Sequence, residues 1–190
     1  MKVHLKKFIV LTSPISGERR QHINKIIPNP IFIFYPLCAN RYRSGAIGSL
    51  AMLCASDETS VLLEDDVSLA YDLPECFEVP DDADMLYLGI SLAGWWSDGW
   101  RYETVFEQVH DFPSIVRVTN MLSSHAIMLL SARGRDVYLN SMISSAYDSR
   151  PWDINLCIAL PTLRAYALKH PLFFQDATFG GAEECTRFLL

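Results

Sequence analysis

The ten residues Ser60–Leu69 read SVLLEDDVSL: an apolar run, three consecutive carboxylates, then a second short apolar run. Val61, Leu62 and Leu63 follow one another without a polar residue between them, the pattern of a strand buried on both faces. Strands of that kind belong to sheets covered by helices, and such sheets bind their ligands beyond the carboxyl ends of the strands. Here that end carries Glu64, Asp65 and Asp66.

Upstream, the chain alternates. Phe8–Leu11 is a short apolar run closed by Thr12-Ser13-Pro14, and the following ERRQHINKII sets Ile23, Ile26 and Ile27 on one helical face. IFIFY, Ile31–Tyr35, lies between Pro30 and Pro36 and is built of strand residues. GAIGSLAMLCA, Gly45–Ala55, places Ile47, Leu50, Ala51 and Cys54 at helical spacing before SVLL returns to strand character. The order β, α, β, α, β predicts an α/β fold with a mostly parallel central sheet flanked by helices. Downstream, DMLYLGIS and SHAIMLLS read as strands, and ARGRDVYLNSMISSAY reads as a helix with Val137, Met142, Ile143 and Ala146 toward the core. PWDINLCIAL reads as a short helix and LRAYALKHPLFF as a last strand region. No linker divides the chain, so residues 1–190 are expected to form a single domain.

Half of the 190 residues are hydrophobic and 20% are charged, and a chain of this size buries roughly two thirds of its unfolded surface without staples. The formal charge of −6 disfavours general binding to a phosphate backbone, although Arg41, Arg43, Arg133 and Arg135 can form local basic spots. Cys38, Cys54, Cys76, Cys157 and Cys185 are odd in number and include no C-x-x-C pair, which predicts buried free thiols in a reducing compartment. After Lys6-Lys7 only FIVL is apolar, short of a signal-peptide core, and no run approaches the roughly 18–20 residues of a membrane span. The expectation is a soluble, cytoplasmic protein.

On an extended strand, residues two apart point the same way, so Glu64 and Asp66 converge and Asp65 faces elsewhere. Two carboxylates held together repel unless a proton or a cation lies between them, and hard oxygen ligands select Mg2+ or Mn2+. The bland alternative is a strand ending in solvent, with Asp66 capping a turn.

With these residues in view, the chain resembles glycosyltransferase family 25, the lipooligosaccharide and collagen-type galactosyltransferases. FIVLTSPISGERRQHI, GAIGSLAMLCASD, VLLEDDV, DMLYLG, SSHAIMLLSARGRDVYL, PWDINL and HPLFFQD are similar to its blocks in the same order. The resemblance implies a single GT-A (Rossmann-like) domain that transfers a sugar from a nucleotide-sugar donor, commonly UDP-linked, to an acceptor hydroxyl with inversion. It implies that Asp66 binds a Mn2+ or Mg2+ ion bridging the donor diphosphate, with Glu64 assisting the ion, the ribose or the sugar and Asp65 beside them. Leu11, Thr12 and Ser13 would lie against the nucleotide, and Arg20 or Arg43 would reach the diphosphate. Asp153 would be the general base, Gln175 a hydrogen-bonding partner of donor or acceptor, and His170 a third metal ligand. Asp153 and Gln175 also have structural readings, as a helix cap and as a core amide. The chain departs from the family's helix block at Ala46, Ser49 and MLCASD. That departure leaves a second class of function open, a non-catalytic nucleotide-sugar-binding module.

The acceptor is open as well: a saccharide, another hydroxyl-bearing polymer, or hydroxymethylated bases in DNA. Trp95, Trp96, Trp100 and Tyr102 crowd the segment AGWWSDGWRYETVFEQVHDFPS, expected as a hairpin or surface loop. They suit an acceptor platform or a lid, or else a satellite hydrophobic cluster. His110, His125 and His170 lack metal-ligand spacing in sequence.

Overall fold

A computed structural model describes residues 1–148 and 150–179. Its strands are β1 (Lys2–His4), β2 (Lys7–Thr12), β3 (Ile31–Phe34), β4 (Ser60–Glu64), β5 (Val67–Leu69), β6 (Cys76–Glu78) and β7 (Met85–Tyr87). They continue with β8 (Gly94–Trp96), β9 (Gly99–Arg101), β10 (Val105–Gln108), β11 (Ile115–Asn120), β12 (Ala126–Leu129), β13 (Ala165–Leu168) and β14 (Phe173–Gln175). The helices are α1 (Gly17–Ile26), α2 (Arg41–Ala55), α3 (Ala132–Asp148) and α4 (Trp152–Ala159).

An eight-stranded sheet in the order β10-β11-β13-β7-β12-β4-β2-β3 carries the fold, so the α/β class holds. The expected β-α-β-α-β unit is present: β2 pairs parallel with both β3 and β4. The rest of the sheet is mixed and not mostly parallel. β13 runs parallel to β7, but β12 lies antiparallel between β4 and β7, and β11 is antiparallel to β10 and β13. The region expected as one last strand splits at Pro171 into β13 and β14, and β14 leaves the main sheet to pair with β5.

Alternation along the central strands feeds two cores. Ile9, Leu11, Leu62, Met85, Tyr87 and Ile127 face α2, α3 and α4. Phe8, Val10, Val61, Leu63, Leu86 and Met128 face the side where α1 packs through Ile23 and Ile27. Both sides are apolar, which is why the strands read as uninterrupted hydrophobic runs.

One helix buries a different face from the one its hydrophobic residues suggest, and a second does so in part. α2 turns Ser44, Gly45, Ala46, Gly48 and Ser49 inward with Met52 and Leu53, and leaves Ile47 and Cys54 exposed. The reason is close approach: a Cβ on Gly45 would stand 2.1 Å from the Trp152 ring, and one on Gly48 2.5 Å from Leu11 Cδ1. α3 buries Met142 and packs Val137 against the core as expected, adds Gly134, Tyr138, Ser141 and Ser145, and leaves Ile143 39% exposed. The thiols also differ from expectation. Cys38 and Cys54 are exposed and Cys76 is partly so, leaving Cys157 as the buried one; Cys185 lies outside the described residues. Among the described residues no helix is long and apolar enough to cross a membrane.

Candidate functional site

The carboxyl ends of β2 and β4 lie side by side, with Leu11 opposite Glu64 in the register. Because β12 runs antiparallel to β4, the residues that precede it reach the same edge, and the Glu64 amide donates to the His125 carbonyl at 2.9 Å. The first turns of α2 and α4 close the other sides. Together these segments line a cleft of about 560 Å3 with the three carboxylates in its wall. That volume suits a small-molecule ligand.

β4 ends at Glu64, and Asp65 and Asp66 form the turn into β5. The acids divide in their partners, although the strand ends before Asp65 and all three line the cleft. Asp65, only 5% exposed, accepts from Thr12 Oγ1 at 2.5 Å and pairs with Arg19 Nη1 at 2.9 Å. Arg19 also donates to the Phe179 carbonyl. Asp65 is therefore a neutralised strut that ties the loop after β2, α1 and the turn together.

Among the described residues neither Glu64 nor Asp66 forms an ion pair. Glu64 accepts from Ser124 Oγ at 2.7 Å, and burial followed by repulsion from Asp66 pushes its carboxyl from 4.5 up to about 8. Burial also pushes Asp66 from 3.8 up to about 6, against the pull of Arg19. Asp66 Oδ2 has one long contact, to Gln175 Nε2 at 3.4 Å, and its buried Oδ1 has no hydrogen-bond partner among the described residues. An unsatisfied carboxylate oxygen beside a second repelled carboxylate is the donor set a hard divalent cation would complete.

Among the described residues no three His, Cys, Asp or Glu side chains form a ready-made metal cage. His170, expected as a third ligand, does not line the cleft: it is exposed after β13, and its carbonyl accepts from Tyr71 Oη at 3.0 Å. Glu64 and Asp66 nonetheless fit a Mg2+-type ion, which commonly uses one or two carboxylates and completes its shell with phosphate oxygens and water.

Asp153 stands at the start of α4 in the cleft wall, beside Trp152. It does not act as the N-cap, which is Pro151; its Oδ1 accepts from the neighbouring Ile154 amide at 3.0 Å. Burial raises its pKa. Leu11, Ser13 and Gln175 line the cleft as expected, and Thr12 acts from behind through Asp65.

Neither expected arginine reaches the cleft. Arg20 is turned back on its own loop, donating to the Ser13 and Pro14 carbonyls at 2.5 and 3.3 Å with its guanidinium 5.2 Å from the Phe34 ring centre. Arg43 is exposed on α2, and among the described residues the arginines that line the cleft are Arg19 and Arg41. The sequence does not separate Arg19 from Arg20: they stand four and three residues before the core residue Ile23, and both spacings fall on its helical face. Arg41 was hidden because α2 begins four residues before the expected Gly45. Asn40 caps it, accepting from the Tyr42 and Arg43 amides at 2.9 and 3.1 Å.

His125 was also missed. It is buried at the cleft floor against Gly89, hydrogen-bonds Ser123 through Nδ1 at 3.1 Å, and is pulled by burial from 6.5 down to about 4, hence neutral.

The aromatic segment is a β8–β9 hairpin outside the cleft lining. Trp95 is held at its backbone by Asn120, with bonds of 2.8 and 2.9 Å, and Trp96 is half-buried. Trp100 and Tyr102 are exposed and meet edge to face at 5.2 Å.

No family model and no curated protein matches the chain, so the resemblance to glycosyltransferase family 25 rests on its motif residues. Among solved structures the chain is similar to the CTP:phosphocholine cytidylyltransferase LicC of Streptococcus pneumoniae. The identity is 13% and the TM-score 0.43, over 89% of this chain and 72% of that one.

Proposed function

We propose that the protein is a divalent-cation-dependent glycosyltransferase that binds a nucleotide sugar, UDP-linked in the simplest reading, and transfers the sugar to a hydroxyl of a saccharide or other polymer. One observation carries the reading: Glu64 and Asp66 repel one another at the carboxyl end of β4, in a ligand-sized cleft, with a buried Asp66 oxygen unpartnered among the described residues. Carboxylates so placed favour a cation that arrives with an anionic ligand.

Asp66 and Glu64 would hold Mn2+ or Mg2+, which when bound supplies Lewis-acid stabilisation to the departing diphosphate. Asp65, fixed by Thr12 and Arg19, keeps the turn in place, so the site is built before ligand arrives. Gln175 steadies Asp66 from β14. Asp153 is the general base: as the acceptor oxygen bonds to the anomeric carbon and the bond to the diphosphate breaks, the hydroxyl proton passes to its carboxylate. Burial has already raised its affinity for that proton. Trp152 walls the reacting end against water.

The test is release of UDP from UDP-hexoses with Mn2+, offered saccharide acceptors and, in parallel, DNA containing hydroxymethylated bases. Turnover that is lost in Asp153→Asn with donor binding retained supports the reading. Binding of UDP-sugars without hydrolysis or transfer would make the protein a binding module instead.

A further inference from the structure

Resting on that donor-site reading, we propose that Arg41 is the diphosphate anchor of the cleft, and that the ligand it selects is a nucleoside diphosphate rather than a nucleoside or a neutral sugar.

The argument begins with charge. Glu64, Asp65, Asp66 and Asp153 line the cleft against two arginines, Arg19 and Arg41. Arg19 is already spent on Asp65 and the Phe179 carbonyl. A divalent ion on Glu64 and Asp66 is balanced by those two carboxylates, so it leaves the charge of the diphosphate itself uncompensated. Within the cleft lining, Arg41 is the cation without a carboxylate partner among the described residues.

The geometry prepares it for an anion. The Arg41 guanidinium lies 4.7 Å from the centre of the Tyr42 ring, and its Nη2 donates to Tyr42 Oη at 2.7 Å. The remaining donors of its five-donor fork are directed to no protein acceptor among the described residues, and the side chain is exposed. A guanidinium held over a ring with its donors open is suited to bidentate recognition of phosphate. The helix end itself is not available for this role, because Asn40 occupies the Tyr42 and Arg43 amides. Recognition falls to the side chain.

The experiment is calorimetric titration with UDP and with uridine, both with Mn2+ present, of the wild type, Arg41→Gln, Arg41→Lys and Arg43→Gln. The expected result is a loss of about tenfold or more in UDP affinity for Arg41→Gln, a smaller loss for Arg41→Lys, and unchanged uridine binding in both. Arg43→Gln removes the same charge from the same helical turn and is expected to bind UDP as the wild type does, which separates a local contact from net charge. The assignment is overturned if Arg41→Gln keeps wild-type UDP affinity, if it loses UDP and uridine equally, or if Arg43→Gln is the variant that loses UDP. A wild type that binds neither ligand overturns the donor-site reading itself, and the anchor with it. An unliganded melting midpoint for each variant identifies any that fails to fold.

Discussion

Asp65 and Asp66 are neighbours in sequence with opposite fates. The first is paired with an arginine and a threonine hydroxyl; the second is buried beside another acid with an oxygen left over. That difference has a consequence for stability against pH. A carboxyl whose pKa is raised by folding binds its proton more tightly in the native state, so its contribution is present at low pH and is lost as pH climbs through the folded pKa. For Asp66 the window runs from 3.8 to about 6, and for Glu64 from 4.5 to about 8. His125 works in the other direction: pulled from 6.5 to about 4, it costs stability as pH falls through that range, because only the unfolded imidazole gains the proton readily. The opposing windows overlap below 6.5, which leaves Glu64 as the main cleft contributor between pH 6.5 and 8. Without divalent cation, the thermal midpoint is therefore expected to fall from pH 6.5 to 8, and Glu64→Gln is expected to flatten that slope. Melts across this range check it; a wild-type profile that is flat or rising contradicts the raised pKa of Glu64 that burial, and then Asp66, produce.

At the scale of elements, the sheet was more legible than the helix faces. Uninterrupted apolar runs identify β2, β4, β7 and β12 as buried, but such runs carry no direction, so the antiparallel insertion of β12 could not be read from them. In α2 most of the expected hydrophobic residues pointed the wrong way, and in α3 Ile143 did while Met142 and Val137 did not, because contact is also made by small residues that let the backbones approach. A Cβ on Gly134 would stand 2.2 Å from the Asp84 carbonyl oxygen, backbone that cannot swing aside. The helix-propensity gain of Gly134→Ala, roughly 0.5–1 kcal/mol, is outweighed by an overpacking cost of about 1–3 kcal/mol or more. Denaturant titration is expected to show net destabilisation. Ile143→Asn, by contrast, changes a residue that is 39% exposed and should shift stability by about 0.5 kcal/mol or less. The reverse order, with Ile143→Asn the costlier change, would place Ile143 in the core and contradict this packing of α3.

For the molecule as a whole, the site lies where separate stretches of chain meet. The turn after β4 was visible in the sequence because an acidic cluster behind a buried strand is a local pattern. Asp153 and Gln175 came into view through the resemblance of their blocks, and both stand in the cleft. Arg41, Trp152, Ser124 and His125 have no local signature. They belong to the site because α2, α4 and the segment before β12 end at the same edge of the sheet, which only the three-dimensional arrangement reveals. The same arrangement excludes His170 from the cleft and turns Arg20 back onto its own loop.

The central claim is that Glu64 and Asp66 form a cation-dependent donor site. Its most direct test is the affinity for UDP measured with and without Mn2+ in the wild type and in Asp66→Ala. The account predicts that the wild type binds UDP strongly only with the ion, and that Asp66→Ala loses this ion-dependent gain while keeping its fold. UDP binding that is indifferent to Mn2+, or an Asp66→Ala variant that retains the full ion-dependent gain, would contradict it.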